Sequence, residues 1–347
     1  MSTNSILVIG AGELGTAVLE GLAKHPDLTS SSKNNTTLSV MVRASSLRDD
    51  AAADPAKRRH NAYLRDRLGV SRFVPGDIGH DSVEYLAAAF RPFDTIICCA
   101  GFGDAFPAGT QLKISRAVLL AAAAAAAAND SNDGKPKKRF LPWQWGMDYD
   151  AIGTGSAQDL FDEQLQVRAL LRAETKKKAG TGTGTSAVDW VIVSTGLFMS
   201  FLFRADFGVV DLPHQMVRCL GGWDTRITVT TPRDIGTMAA EIALRPGEIS
   251  NRVVYVAGDT VSYGRVVELV EERFGSGSGA EAAFKKETWD REFLQRKLAE
   301  STGDVMLKYR NCFAEGRGVA FDMEQTVNRQ RGIVLQDVRS YLKEMEL

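Results

Sequence analysis

The sequence is poor in the residues that staple a fold or hold a metal. Its four cysteines are Cys98, Cys99, Cys219 and Cys312, and none stands at a metal-ligand spacing. The adjacent pair lies in an apolar run, where thiols pack as small hydrophobes. No metal site is expected, and this cysteine usage points to a reducing compartment. Long apolar runs are missing too. A membrane helix needs roughly 20 such residues; the longest candidate, Ala117 to Ala128, is shorter and mostly alanine, and Ile6 to Ile9 is too short for the core of a signal peptide. Charge of one sign is not in excess, with 42 Lys plus Arg against 43 Asp plus Glu and a net charge of -1. No global field gathers nucleic acid or anionic lipid. The expectation is a cytoplasmic protein with neither a membrane nor a nucleic-acid partner. The Asn-x-Thr matches at Asn34 and Asn35 are then chance occurrences in a polar loop.

What is present suits a globular chain long enough for two lobes, 44% hydrophobic and 24% charged over 347 residues. Apolar runs at Ser5 to Ile9, Leu38 to Val42, Arg72 to Val74, Asp94 to Cys99, Arg139 to Pro142 and Ala187 to Ser194 alternate with helical stretches at Glu13 to Ala23, Ala56 to Leu68, Ser82 to Phe90 and Gln111 to Ala128. This alternation predicts an α/β fold, a doubly wound parallel sheet of the Rossmann kind. The basic runs Lys135 to Arg139 and Lys176 to Lys178 read as loop charges, the second opening a linker that ends at Ser186. Beyond Gly196 the texture turns aromatic and mixed. We expect a nucleotide-binding domain over 1–196, with 226–246 packing back on it, and a smaller, mainly helical substrate lobe over 197–347. Helices are predicted there at Asp234 to Leu244, Tyr263 to Phe274, Lys286 to Glu300 and Leu335 to Glu344.

Gly10-Ala11-Gly12-Glu13-Leu14-Gly15 is G-x-G-x-x-G between the first strand and the first helix. Gly10 permits the tight turn, Gly12 lets backbone approach a pyrophosphate, and Gly15 lets helix pack on strand, while the helix N-terminus favours the phosphate charge. The second strand ends on Arg43, where an NAD-preferring protein carries Asp or Glu for the ribose hydroxyls. A guanidinium there suits a 2′-phosphate, so NADPH or NADP+ is the expected cofactor. Arg48 is a second cation nearby. Small residues Ala100-Gly101-Phe102-Gly103 after the fourth strand leave room for the coenzyme's second half.

Phe140-Leu141-Pro142-Trp143-Gln144-Trp145-Gly146 follows the fifth strand, Phe161-Asp162-Glu163-Gln164 opens a helix, and Gly196-Leu197-Phe198-Met199 and Asp234-Ile235-Gly236 come later. With the glycine motif and Arg43, these segments resemble the NmrA-like and isoflavone reductase-like family of atypical short-chain dehydrogenases, most closely its fungal members, many of them in secondary metabolism. The resemblance implies an NADPH-dependent reductase of an aromatic or alkaloid-like small molecule, working as a monomer or homodimer. It implies that Gly10, Gly12, Glu13, Leu14, Gly15, Arg43, Ala100, Gly101 and Phe102 hold the coenzyme. Pro142 would abut the nicotinamide, and Trp143, Trp145, Phe198 and Met199 would line the substrate mouth.

Two departures stand out. The family's usual Leu-Pro-Ser-Glu-Phe-Gly is replaced at Trp143 and Gln144, and Gln164 occupies the position of the catalytic lysine. No tyrosine has Lys four residues later, so the ordinary short-chain pair is missing as well. The resemblance then implies that Gln164 bonds the substrate or the nicotinamide ribose, since it donates a hydrogen bond but exchanges no proton near neutral pH. Three accounts stay open: a substrate that needs no strong acid, an acid moved to Tyr149, Asp148 or His214, or lost redox chemistry. The last covers a nucleotide-binding redox-sensing regulator; an isomerase or cyclase that keeps the coenzyme is a further alternative.

Overall fold

The computed structural model describes residues 4–29, 36–48, 54–101, 107–127, 137–180, 188–245, 247, 249–275 and 283–345. From the N-terminus the chain forms β1 (Ser5–Ile9), α1 (Glu13–Lys24), the single turn α2 (Pro26–Thr29), β2 (Thr37–Val42), α3 (Pro55–Asp66), β3 (Val70–Pro75), α4 (Val83–Phe90), β4 (Thr95–Cys98), α5 (Thr110–Ala127) and β5 (Lys138–Leu141). It continues through α6 (Tyr149–Ile152), α7 (Asp159–Gly180), β6 (Val188–Ser194), β7 (Leu197–Phe198), β8 (Val210–Asp211), β9 (Met216–Leu220), β10 (Arg226–Thr230), α8 (Pro232–Leu244) and β11 (Arg252–Tyr255). The last stretch carries β12 (Asp259–Ser262), α9 (Tyr263–Phe274), β13 (Lys285–Trp289), α10 (Arg291–Glu300), α11 (Val305–Glu315), α12 (Val327–Gln330) and α13 (Val338–Glu344).

Seven strands form one sheet in the order β11-β6-β5-β4-β1-β2-β3, and every pairing from β1 to β6 is parallel. The apolar runs explain it: β1, β2 and β4 are buried almost throughout, as parallel strands covered on both faces must be. Strand order reverses between β1 and β4, so a crevice opens past their carboxyl ends. Leu7, Ile9, Phe90, Ile96, Phe140 and Ile192 form the core of this first unit, which comprises Met1–Gln144, Gln166–Val193 and Ile235–Val253. The second unit, Trp145–Leu165, Ser194–Asp234 and Val254–Leu347, builds its own core from Phe161, Phe207, Ile227, Tyr263 and Phe313. It is mixed, with two three-stranded sheets, β12-β10-β7 and β13-β9-β8, beside its helices.

Several sequence expectations are corrected. The run ending in Arg139 is not loop charge: Lys138 and Arg139 are both buried in β5. Lys138 Nζ donates to the Phe93 carbonyl and, at 3.4 Å, to those of Phe90 and Arg91, so its charge sits at the C-terminal end of α4. Arg139 pairs with Asp189 and donates to Ile242 O at 2.9 Å. Lys176 to Gly180 is not linker either, because α7 runs through it; 181–186 lie outside the described residues. Residues 285–289 are a strand paired in parallel with β9, and the helix starts only at Arg291, where Asp290 Oδ1 accepts from Phe293 N at 2.8 Å. Helix α11, capped by Asp304, was not expected.

In the first unit α1 crosses α8 with no room for side chains. A Cβ on Gly21 would lie 2.2 Å from Gly236 O, and one on Gly236 would lie 2.0 Å from Ala17 O. Gly236→Ala is therefore expected to destabilise by roughly 3 kcal/mol and lower Tm by about 5–10 °C, read by thermal unfolding, because both clashing atoms are backbone.

Candidate functional site

The turn from β1 into α1 is sterically tied. Gly10 sits at φ +90°, a Cβ there would meet Ala100 Cβ at 2.8 Å, and a Cβ on Gly15 would meet Gly10 O at 2.0 Å. Gly12 differs, since a Cβ there would find nothing within 4 Å. It is also the N-cap of α1 and offers no side chain to the first-turn N–H groups. Open space in front of uncapped donors at the positive end of a 12-residue helix fits a pyrophosphate. Glu13 is exposed, whereas Leu14 is 5% exposed and packs into the core, leaving it only a backbone role.

At the end of β2, Arg43 is exposed, and among the described residues its guanidinium has no ion-pair partner. It caps a 3-10 turn, Ala44–Leu47, in which Ser46 N donates to Arg43 O at 2.8 Å. Helix α3 contacts both loops, which the sequence reading missed. His60 Nε2 lies 2.9 Å from Ala11 O inside the glycine motif and 3.3 Å from Thr16 Oγ1. Asn61 Nδ2 donates to Ser46 O at 2.7 Å. No motif announces these residues; the available signal was the helical spacing that sets His60, Asn61 and Leu64 on one face of α3, Leu64 being its one buried residue.

Past β4, Phe102 lies outside the described residues. Ala100 packs against the Gly10 turn. Gly101 was expected to leave space for the coenzyme, but its side-chain direction is already filled: a Cβ would stand 2.3 Å from Gln111 Nε2 and 2.5 Å from Trp143 Cδ2. Pro142 is buried at the end of β5 and Trp143 half-buried. Gln144, fully buried, accepts from Nε of the equally buried Arg168 at 2.9 Å. It keeps a hydrogen bond where a carboxylate would make an ion pair. Burial pushes the Cys98 thiol up to about 12, so it stays protonated and unreactive.

In the second unit, Gly146 is the tight point. Its carbonyl accepts from Thr195 N and Gly196 N, both at 2.9 Å, and a Cβ on it would lie 2.3 Å from the Tyr149 hydroxyl oxygen. Tyr149 is 4% exposed, its ring 5.0 Å from that of Phe161. Asp148 caps α6 and accepts from Tyr255 OH at 2.8 Å, which gives it a structural task. Gln164 is fully buried on α7. His214 is not sheltered: its side chain is 77% exposed and paired with Asp211 at 2.8 Å. Met199 is fully buried in the core rather than lining a mouth, Trp145 is 6% exposed, and Phe198 is half-buried with its ring 6.3 Å from Phe201.

A doubly wound parallel sheet with a glycine turn at its switch point defines a Rossmann-type fold. Residues 2–284 match the NmrA-like family. A protein of Gibberella moniliformis described as an NmrA-like family domain-containing oxidoreductase is 48% identical over 345 residues, 99% of each chain. The chain therefore belongs to the NmrA-like family. Among solved structures, an isoflavone reductase is 20% identical with a TM-score of 0.69 over 99% of both chains. A leucoanthocyanidin reductase from Vitis vinifera, solved with NADPH, is 16% identical with a TM-score of 0.71 over 98% of this chain and 99% of that one. At these identities the likeness is one of fold.

Open Gly12 and crowded Gly15 part ways under substitution. Gly15→Ala should unfold several degrees lower, because backbone must move. Gly12→Ala should keep its folding free energy within about 1 kcal/mol and still lose nucleotide binding, its methyl occupying the phosphate position. Thermal unfolding beside coenzyme titration checks both.

Proposed function

We propose that the protein is an NADPH-dependent reductase of an aromatic or alkaloid-like small molecule, in keeping with fungal secondary metabolism. The observation that carries the reading is the pairing of open Gly12 and the uncapped α1 N-terminus with an exposed Arg43, without an ion-pair partner among the described residues, at the end of the next strand. The first accommodates a pyrophosphate, the second a 2′-phosphate. The oxidoreductase description of the 48% identical relative and the NADPH in the leucoanthocyanidin reductase structure support it.

When bound, the reduced nicotinamide supplies a hydride. The glycine loop and Arg43 would hold the coenzyme's adenosine half, and Pro142 with Trp143 would border its other end. Gln164, standing at the lysine position, orients by hydrogen bonding and delivers no proton. With His214 at the surface and Asp148 engaged in capping, Tyr149 is the remaining acid, and its hydroxyl is packed against Gly146. The substrate that suits these residues is one already activated. Hydride added to an iminium carbon gives a neutral amine, and hydride added to a quinone methide gives a phenolate that solvent protonates; neither needs an enzymic acid.

Incubation with 4-deuterated NADPH tests the reading. Deuterium is expected in products of cyclic iminium and quinone-methide probes and at far lower rates in those of simple ketones, since a positioned acid typically contributes about 10²–10⁴-fold. Tight coenzyme binding with no transfer to any probe would overturn it in favour of a nucleotide-sensing regulator, a reading that the buried, non-ionisable Gln164 also suits.

Arg43→Asp is expected to weaken NADPH by about 10- to 150-fold and NADH little, measured by fluorescence titration. Equal weakening of both would show that Arg43 does not meet the 2′-phosphate.

A further inference from the structure

Helix α3 is weakly anchored by apolar contact, with Leu64 its one buried residue. Its polar ties are correspondingly informative. Adjacent residues reach two different loops: His60 Nε2 approaches the Ala11 carbonyl at 2.9 Å, and Asn61 Nδ2 donates to the Ser46 carbonyl at 2.7 Å. Ala11 lies between the glycines that face the pyrophosphate in our functional reading. Ser46 belongs to the turn that Arg43 opens, and its own N–H closes that turn on Arg43 O at 2.8 Å. A third tie, Tyr63 OH to Glu20 Oε1 at 2.6 Å, fastens the helix to α1.

We infer that His60 and Asn61 are positioning residues for the coenzyme, each governing one loop: His60 holds the pyrophosphate turn, and Asn61 holds the turn that aims Arg43 at the 2′-phosphate. The division has a chemical consequence. Pyrophosphate is common to NADPH and NADH, so whatever His60 fixes serves both. The 2′-phosphate belongs to NADPH alone, so what Asn61 fixes serves one. Discrimination between the coenzymes then depends on a neutral amide on α3 as well as on the guanidinium at the strand end. His60 and Asn61 are both half-buried, and neither side chain fills a core, so their replacement leaves the apolar core untouched and the melting temperature reports any loosening of α3.

This inference rests on the assignment of the 2′-phosphate to Arg43, and the test separates the two. Dissociation constants are measured for NADPH, NADH and 2′,5′-ADP with Asn61→Ala, His60→Ala, His60→Gln and Arg43→Asp, alongside melting temperatures. Loss of one hydrogen bond that orders a binding loop is expected to cost up to about tenfold in affinity. Asn61→Ala should weaken NADPH and 2′,5′-ADP by that order while NADH stays within about twofold. His60→Ala should weaken NADPH and NADH by the same factor. His60→Gln, whose amide nitrogen can donate to Ala11 O, should recover most of the loss. The inference is overturned if Asn61→Ala affects both coenzymes equally, if His60→Ala discriminates between them, or if folded variants bind all three ligands as the parent does. Should Arg43→Asp itself fail to discriminate, the 2′-phosphate assignment and the Asn61 arm fall with it, and the His60 arm is still decided by its equal effect on the two coenzymes.

Discussion

Backbone meets backbone at the start of α1, and the site follows from that contact. Gly15 stands so close to the Gly10 carbonyl, and Gly10 so close to Ala100, that neither position admits a side chain. The helix is held again six residues further on, where Gly21 meets Gly236 of α8. Fixed at both places, α1 cannot slide along the sheet. Its N-terminal donors therefore stand at one place over the crevice between β1 and β4, and a preorganised donor set avoids the cost of ordering a loop when an anion binds.

How far this could be read from sequence depends on the range of the interaction. β1, β2, β4 and β6 were legible because burial on both faces writes a continuous apolar run into the chain, and the glycine turn because its steric demand is local. Lys138 and Arg139 misled because composition marks charge as exposed. Their partners, the carboxyl end of α4 and Asp189, are 45 or more residues away and leave no mark near β5. Residues 285–287, Lys-Lys-Glu, are good helix formers, yet with the strand-favouring Thr288 and Trp289 they are held extended by pairing with β9. In the candidate site, His60 and Asn61 were invisible for the same reason: a helix reaching back to two loops has no motif. Met199 and His214 share segments with other candidate site residues, and sequence gives no sign that one is fully enclosed and the other exposed.

The departures at Gln144 and Gln164 share one physical effect. Each puts an amide where the family resemblance leads one to expect a charge, and each is 0% exposed. A lysine ammonium enclosed to that degree would lose its hydration, which costs several kcal/mol unless a close anion compensates. An amide needs only hydrogen bonds. The neutral side chain thus allows Gln164 to be enclosed with no charge of its own to compensate, whereas the buried Arg168 one turn on is met by Gln144 Oε1, and the burial would penalise a return to lysine. Sequence departure and packing reinforce one another.

That coupling bears on what chemistry the chain can support. A reductase that must protonate an alkoxide requires a titratable group near the reacting atom, a part that the amide of Gln164 cannot play. One that receives a cationic or quinonoid electrophile requires only that donor and acceptor carbons be held in line, since the electron demand is already in the substrate. Positioning then carries most of the rate, and in our functional reading the tied glycine turn and the α3 contacts would supply it. The same features would serve a protein that binds the coenzyme and signals. The two roles make equal demands on α1, Arg43 and α3 and part only at whether an electrophile reaches the nicotinamide, so the distinction lies in the substrate and not in the nucleotide site.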